Sequence, residues 1–253
     1  MKAPPFIRSS RAAILLALAA TVLRAGELAA ATTPDVQPTD GDRTEARVGV
    51  SFHPLFGSVD GRVAGLQLAG LGNRAESVAG VQLSLCFNGA RRFSGVQIAP
   101  VLNGGRYFYE SSWQGEKPRS SGLQVAAVNL GPVDGAQIGL VNYGQTDGLQ
   151  FGLANIAASP GLFNPFDRGV VRGCQLGAAN FGTVEGVQIG LVNQATESDL
   201  SQIGLVNVAS DSDIVQFGLV NTAVRCHGWQ IGLLNVAPGT GHLPVVPLVN
   251  VCF

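Results

Sequence analysis

From Val48 onward, apolar and polar positions alternate in short runs that repeat one phrase. It reads AQIGLVN at 136–142, VQIGLVN at 187–193, SQIGLVN at 201–207, VQFGLVN at 215–221 and WQIGLLN at 229–235. In the copy from Gly186 to Asn193, Val187, Ile189, Leu191 and Asn193 alternate with Gly186, Gln188, Gly190 and Val192. A period of two predicts a β-strand with one strongly apolar face. A helix is excluded, because each glycine of the motif would cost about 1 kcal/mol in a helix interior and the apolar positions do not follow a 3.6-residue spacing. Turn-forming runs separate the copies, as in Gln145-Thr146-Asp147-Gly148, Thr196-Glu197-Ser198-Asp199 and Ser210-Asp211-Ser212-Asp213.

The motif glutamines fall at 67, 82, 97, 124, 137, 150, 175, 188, 202, 216 and 230. Most steps are therefore 13 to 15 residues, with two longer ones of 27 and 25. An asparagine follows each glutamine, six residues on in the first three copies (Asn73, Asn88, Asn103) and five on in the rest, from Asn129 to Asn235. The spacing divides the array into a first block of period 15 and later blocks of period 13 to 14, parted by irregular stretches at 104–121 and 156–172.

A unit this short cannot bury its apolar face alone, so the copies must stack. In a β-solenoid each unit is one turn of a coil, and its strand lies parallel to the same strand of the next turn about 4.8 Å away. In an up-and-down outer-membrane β-barrel each unit is one antiparallel strand, with Val, Ile and Leu toward lipid and Gly and Gln toward the lumen. Consecutive units are alike here, whereas a meander would make every second unit equivalent. The clear strand is also shorter than the roughly 9–11 residues that cross a membrane. The pattern favours an all-β solenoid of short strands with a period of 13 to 15 residues; the barrel is the alternative, and the terminal Phe253 speaks for it. In the solenoid the asparagines would form an amide ladder at each turn's corner, and the glutamines a second ladder on the opposite face. A column of small residues two beyond each Gln, from Ala69 and Ser84 to Gly218 and Gly232, reads as close backbone approach within the fold rather than as an exterior binding strip.

The amino end has a different pattern. Lys2, Arg8 and Arg11 precede an apolar run from Ala12 to Leu23, and Ala29-Ala30-Ala31 supplies a small-residue cleavage site. This predicts a secretory signal peptide over 1–31, with a run too short to span a bilayer. Residues 32–47 are polar and hold Pro34 and Pro38, a flexible leader. The repeat domain would then span 48–253.

The formal net charge of −1 conceals an asymmetry: from Gly173 to the end Arg225 is the only Lys or Arg, against Glu185, Glu197, Asp199, Asp211 and Asp213. Nucleic acid, which needs clustered cations for its phosphates, is excluded as a partner. The four cysteines, Cys86, Cys174, Cys226 and Cys252, follow neither a zinc pattern nor a disulfide-dense one. They read as buried small hydrophobes, with a Cys226–Cys252 pair open to an exported chain.

Little in the chain points to catalysis. The histidines are His53, His227 and His242, no serine or cysteine sits in a nucleophile elbow, and no enzyme is expected. Asp134, Asp147, Glu185, Asp199 and Asp213 stand three residues before a motif Gln. Stacked, they would form an acidic column able to hold Ca²⁺, although a solvated, aggregation-deterring turn explains them more simply. No other cofactor is expected. The stretch 104–121 carries Arg106, Tyr107, Tyr109 and Trp113, side chains suited to a protein or polysaccharide partner, and equally to capping the break between blocks. Phe163 and Phe166 in the second stretch read as a loop over an apolar core.

The G-x-Q-I-G-L-V-N units, as in Gly135 to Asn142 and Gly186 to Asn193, together with the closing Leu243-Pro-Val-Val-Pro-Leu-Val-Asn250, resemble the leptospiral-type surface repeat proteins, an uncharacterised bacterial family. The resemblance covers Val48 to Phe253, and the chain departs from the pattern where Leu200 and Ile214 replace the opening glycine. It implies a bacterial cell surface or outer-membrane location and supplies no catalytic residues. The expected function is a non-catalytic scaffold or binding surface at the cell envelope, with association to membrane left open and an outer-membrane pore or anchor as the alternative.

Overall fold

The computed structural model describes residues 47–104, 120–157, 170–196, 201–212, 215–238 and 244–252. They form seventeen β-strands, and like residues of successive units stand opposite one another. Gln188 faces Gln202, Ile189 faces Ile203 and Asn193 faces Asn207. The same register runs from Gln67 against Gln82 to Gln216 against Gln230, with every unit parallel to the next. The repeat domain is a β-solenoid, one coil per motif glutamine. An up-and-down barrel is excluded, since its consecutive strands must be antiparallel. Both irregular stretches leave the stack unbroken: Gln97 pairs with Gln124, Asn103 with Asn129, and Gln150 and Asn155 with Gln175 and Asn180. Gly104, Ser120, Ser121, Ile156 and Val170 to Arg172, at the edges of the two irregular stretches, belong to the coils.

The interior is not the expected apolar one, and the glutamines, expected on the face opposite the asparagines, lie inside with them. All eleven motif glutamines and all eleven asparagines are buried, whereas Ile189, Leu191, Ile203, Leu205, Phe217 and Leu219 are exposed. Strand alternation explains the first half of this, because residues flanking an inward glutamine must point outward. The asparagine follows by five residues, which on a straight strand would set it on the other face. Instead the chain turns a corner between Gly190 and Val192, where Leu191 drops out of the pairing, and the alternation resets so that Asn193 also points in. The first block carries one more residue at this corner and still brings Asn73 over Asn88.

From Gln82 onward each glutamine Nε2 donates to the Oε1 of the preceding coil, as from Gln188 to Gln175 and from Gln202 to Gln188, both 2.8 Å. From Asn73 to Asn221 each asparagine Nδ2 donates the other way, to the Oδ1 of the following coil, as from Asn180 to Asn193 and from Asn193 to Asn207, also 2.8 Å. The second N–H of the asparagine reaches a backbone carbonyl of that coil, Ile189 O from Asn180 at 3.0 Å and Ile203 O from Asn193 at 2.9 Å. That second bond fixes which way the amide points, and the two ladders run with opposite polarity. Small apolar clusters fill the rest of the interior, such as Val63, Ala75, Val78, Ala90, Phe93 and Val133.

Glycine is required where the coils approach. Gly122 takes φ +123°, and a Cβ there would overlap the carbonyl oxygen of Gly95. At Gly190 a Cβ would lie 2.7 Å from Asn180 Nδ2 and 3.1 Å from Asn193 Oδ1. The small-residue column two beyond the glutamines therefore makes room for the asparagine ladder; it is not an exterior strip. The departures at Leu200 and Ile214 lie outside the described residues.

The two ends of the stack differ. At the carboxyl end the strand Val245–Cys252 folds back antiparallel on Gly228–Val236, Asn250 Nδ2 donates to Gln230 Oε1 at 2.9 Å, and Cys226 is disulfide-bonded to Cys252. The reading of these two cysteines as merely buried hydrophobes is thereby corrected; Cys86 and Cys174 are free and partly exposed. At the amino end Ser51 and Gly57 occupy the glutamine and asparagine columns, which stops both ladders, and Asn73 Oδ1 finds no hydrogen-bond partner.

Two stability measurements follow. Gln188→Ala severs two ladder bonds and strands an acceptor on Gln175 and a donor on Gln202, so denaturant unfolding should show a loss of roughly 3–5 kcal/mol, while Ile189→Ala on the exposed side should lose about 1 kcal/mol or less. A conventional apolar core would give the reverse order. Reduction of the disulfide, whose cysteines are 26 residues apart, should lower stability by about 3 kcal/mol, read as a lower melting temperature.

Candidate functional surface

With the amides inside, the residues on either side of each glutamine form two outward columns. The column after it is apolar in every coil, from Leu68, Leu83 and Ile98 to Phe217 and Ile231, and the column before it departs from this only at Ser201. At the adjoining corner Leu140, Leu153, Leu191, Leu205, Leu219 and Leu233 form a ridge, each about half exposed or more. Eleven rungs at the strand spacing make this face roughly 50 Å long, and none of the three columns carries a charge. Monomeric proteins rarely leave a contiguous apolar patch beyond a few hundred Å² open to water. Sequence pattern had identified these residues as one apolar face but placed them inside.

The opposite border of the glutamine strand is charged. Asp134, Asp147, Arg172 and Glu185 stand in one column, and Arg172 donates through Nε to Glu185 at 2.7 Å and through Nη1 to Asp147 at 3.4 Å. The expected column of carboxylates is thus interrupted by a cation, which sequence reasoning missed because Arg172 fell at the edge of an irregular stretch. Among the described residues no group of three His, Cys, Asp or Glu converges as a metal site; Asp199 and Asp213 lie outside the described residues. One column over, Arg225 stacks on Asp211 through two hydrogen bonds, and this contact holds the Asp211 carboxyl below its ordinary range.

Arg106, Tyr107, Tyr109 and Trp113 lie outside the described residues, as do Phe163 and Phe166 and also Phe253. Their points of attachment are defined. The described coil stops at Gly104, seven residues after Gln97, and at Ala157, seven after Gln150. Gly104 stands in the column of Leu130, Tyr143 and Ile156, so the two attachment points are one position apart in the coil and three coils apart, or about 14 Å along the axis.

Ser51 Oγ lies 2.8 Å from His53 Nε2 on the first strand, a nucleophile–base pairing that the sequence did not single out. Among the described residues no carboxylate orients the His53 ring as the third group of a triad would. The concavity beside it is lined by Val48, Gly49, Val50, Ser51 and Val63. Burial pushes the Cys174 thiol up, which lowers its thiolate fraction at neutral pH.

Comparison with protein-family models, with curated proteins and with solved structures finds no match in any of the three.

The Arg225–Asp211 contact makes a pH prediction. A carboxyl whose pKa is depressed by folding contributes stability above its unfolded value, about 3.9, and that contribution is lost as pH falls through the depressed folded value. Arg225→Ala should return the Asp211 carboxyl to the ordinary range in an NMR titration. Because the pair is exposed, the melting temperature near neutral pH should hardly change.

Proposed function

We propose that this chain is an exported, non-catalytic scaffold of the bacterial cell envelope, a rigid rod that presents an uncharged apolar face to a partner. The observation that carries the reading is the inverted cross-section: the ladders occupy the interior, and most of the motif Ile, Leu and Phe side chains, Ile189, Leu191, Ile203, Leu205, Phe217 and Leu219 among them, are exposed. An exposed surface of this length is a liability unless something covers it. The backbone beneath it is already paired between coils, so the face offers side-chain contact rather than strand edges.

The amino-terminal pattern of Lys2, Arg8, Arg11 and the Ala12–Leu23 run supports export, and the Cys226–Cys252 disulfide suits an oxidising compartment outside the cytoplasm.

Expression of the full chain in a diderm bacterium, followed by fractionation and amino-terminal sequencing, tests the reading. Cleavage after Ala31 with recovery in the envelope fraction is expected. Recovery of the uncut chain in the cytosol, with Cys226 and Cys252 reduced, would contradict it.

A further inference from the structure

We infer that the uncharged face is covered by the same face of a second copy of this chain, giving a side-by-side dimer. The inference rests on the scaffold reading above and names the partner.

Size is the first argument. A face of roughly 50 Å spanning the columns from just before the glutamine to the leucine ridge, about 14 Å across, presents on the order of 700 Å². A stable interface takes about 800 Å² from each partner.

Spacing is the second. The outward side chains recur at every rung, about 4.8 Å apart, and leave grooves of the same period between them. A surface with matching ridges is another such stack, and two sheets meet face to face at about 10 Å with side chains interdigitated.

Charge selects against the other broad class of cover, a lipid surface. Membrane attachment at an interface is commonly reinforced by flanking Lys and Arg that meet lipid phosphates. Here the column bordering the face carries Asp134, Asp147 and Glu185, with Arg172 already bonded to two of these carboxylates. From Gly173 onward the single cation is Arg225, and it is bonded to Asp211.

The ends of the stack limit the assembly. The antiparallel strand Val245–Cys252 breaks the parallel register at the carboxyl end, and Asn250 takes the Gln230 acceptor, so a further coil cannot continue the glutamine ladder there. A contact between like faces uses the same patch on both copies and closes as a two-fold dimer.

Sedimentation equilibrium of the full chain without detergent, beside vesicle flotation, tests this. The wild type is expected to be dimeric at about 50 μM. Phe151→Glu combined with Ile189→Glu, both outward positions, should weaken association at least about tenfold while the β-sheet circular dichroism is retained. Should the charged pair disturb folding, Ile189→Thr with Ile203→Thr keeps strand-forming side chains and should weaken the dimer in the same direction. A wild-type monomer at that concentration overturns the proposal. So does a dimer unmoved by a folded variant, or a monomer that floats with phosphatidylcholine vesicles and loses that binding on substitution. Envelope recovery with a monomeric chain would leave the scaffold reading standing and remove the dimer alone.

Discussion

A coil of 13 to 15 residues is too narrow to enclose ranks of Leu and Ile, and what fills it instead is amide stacked on amide. Gln and Asn suit this role because a planar amide carries both a donor and an acceptor, and a parallel stack repeats them at a spacing that one hydrogen bond spans. In the middle of the rod each asparagine has both N–H groups engaged, one in the ladder and one on a backbone carbonyl. A buried amide left without partners would be strongly unfavourable, so a coil is stable only in the company of its neighbours. Repetition of the motif is a physical requirement of the interior.

The placement of the rest follows from that interior. Residues adjacent to an inward glutamine are forced out, which turns the most apolar positions of the sequence into surface. Glycine at the corners lets the coils close to hydrogen-bonding distance. The two ladders point in opposite directions along the rod, so their dipoles oppose rather than accumulate. The polarity also makes the ends unlike. At the carboxyl end Asn250 supplies the donor that Gln230 needs, and a disulfide fastens the strand that carries it. At the amino end Ser51 and Gly57 end both columns and Asn73 Oδ1 is left over.

Much of this was legible in the sequence. The short recurring steps between glutamines, and the likeness of consecutive units rather than alternate ones, identified parallel stacking and the ladders. Which face is inside was not legible, because strict alternation is symmetric between its two faces and apolar residues are ordinarily the buried set. Asn193, five after Gln188, was assigned to the opposite face, since the corner at Leu191 that resets the alternation depends on coil closure, which local spacing does not encode. The Cys226–Cys252 pair was named as open but could not be chosen over two buried thiols for a related reason: the last strand runs antiparallel and lacks the motif glutamine, so its register cannot be counted from the repeat. The surface followed the same division. The acidic positions were found, and the column they form proved to be of mixed charge because Arg172 sits beside an insertion.

Side-chain amide exchange tests the ladders most directly. With the glutamine Nε2 and asparagine Nδ2 protons assigned by NMR, those of the central coils, such as Gln175, Gln188, Asn180 and Asn193, should exchange with solvent as slowly as the strand backbone around them, since they open only when the stack opens. Rapid exchange at these side chains, with the backbone still protected, would show that the amides face water and that the apolar residues occupy the interior.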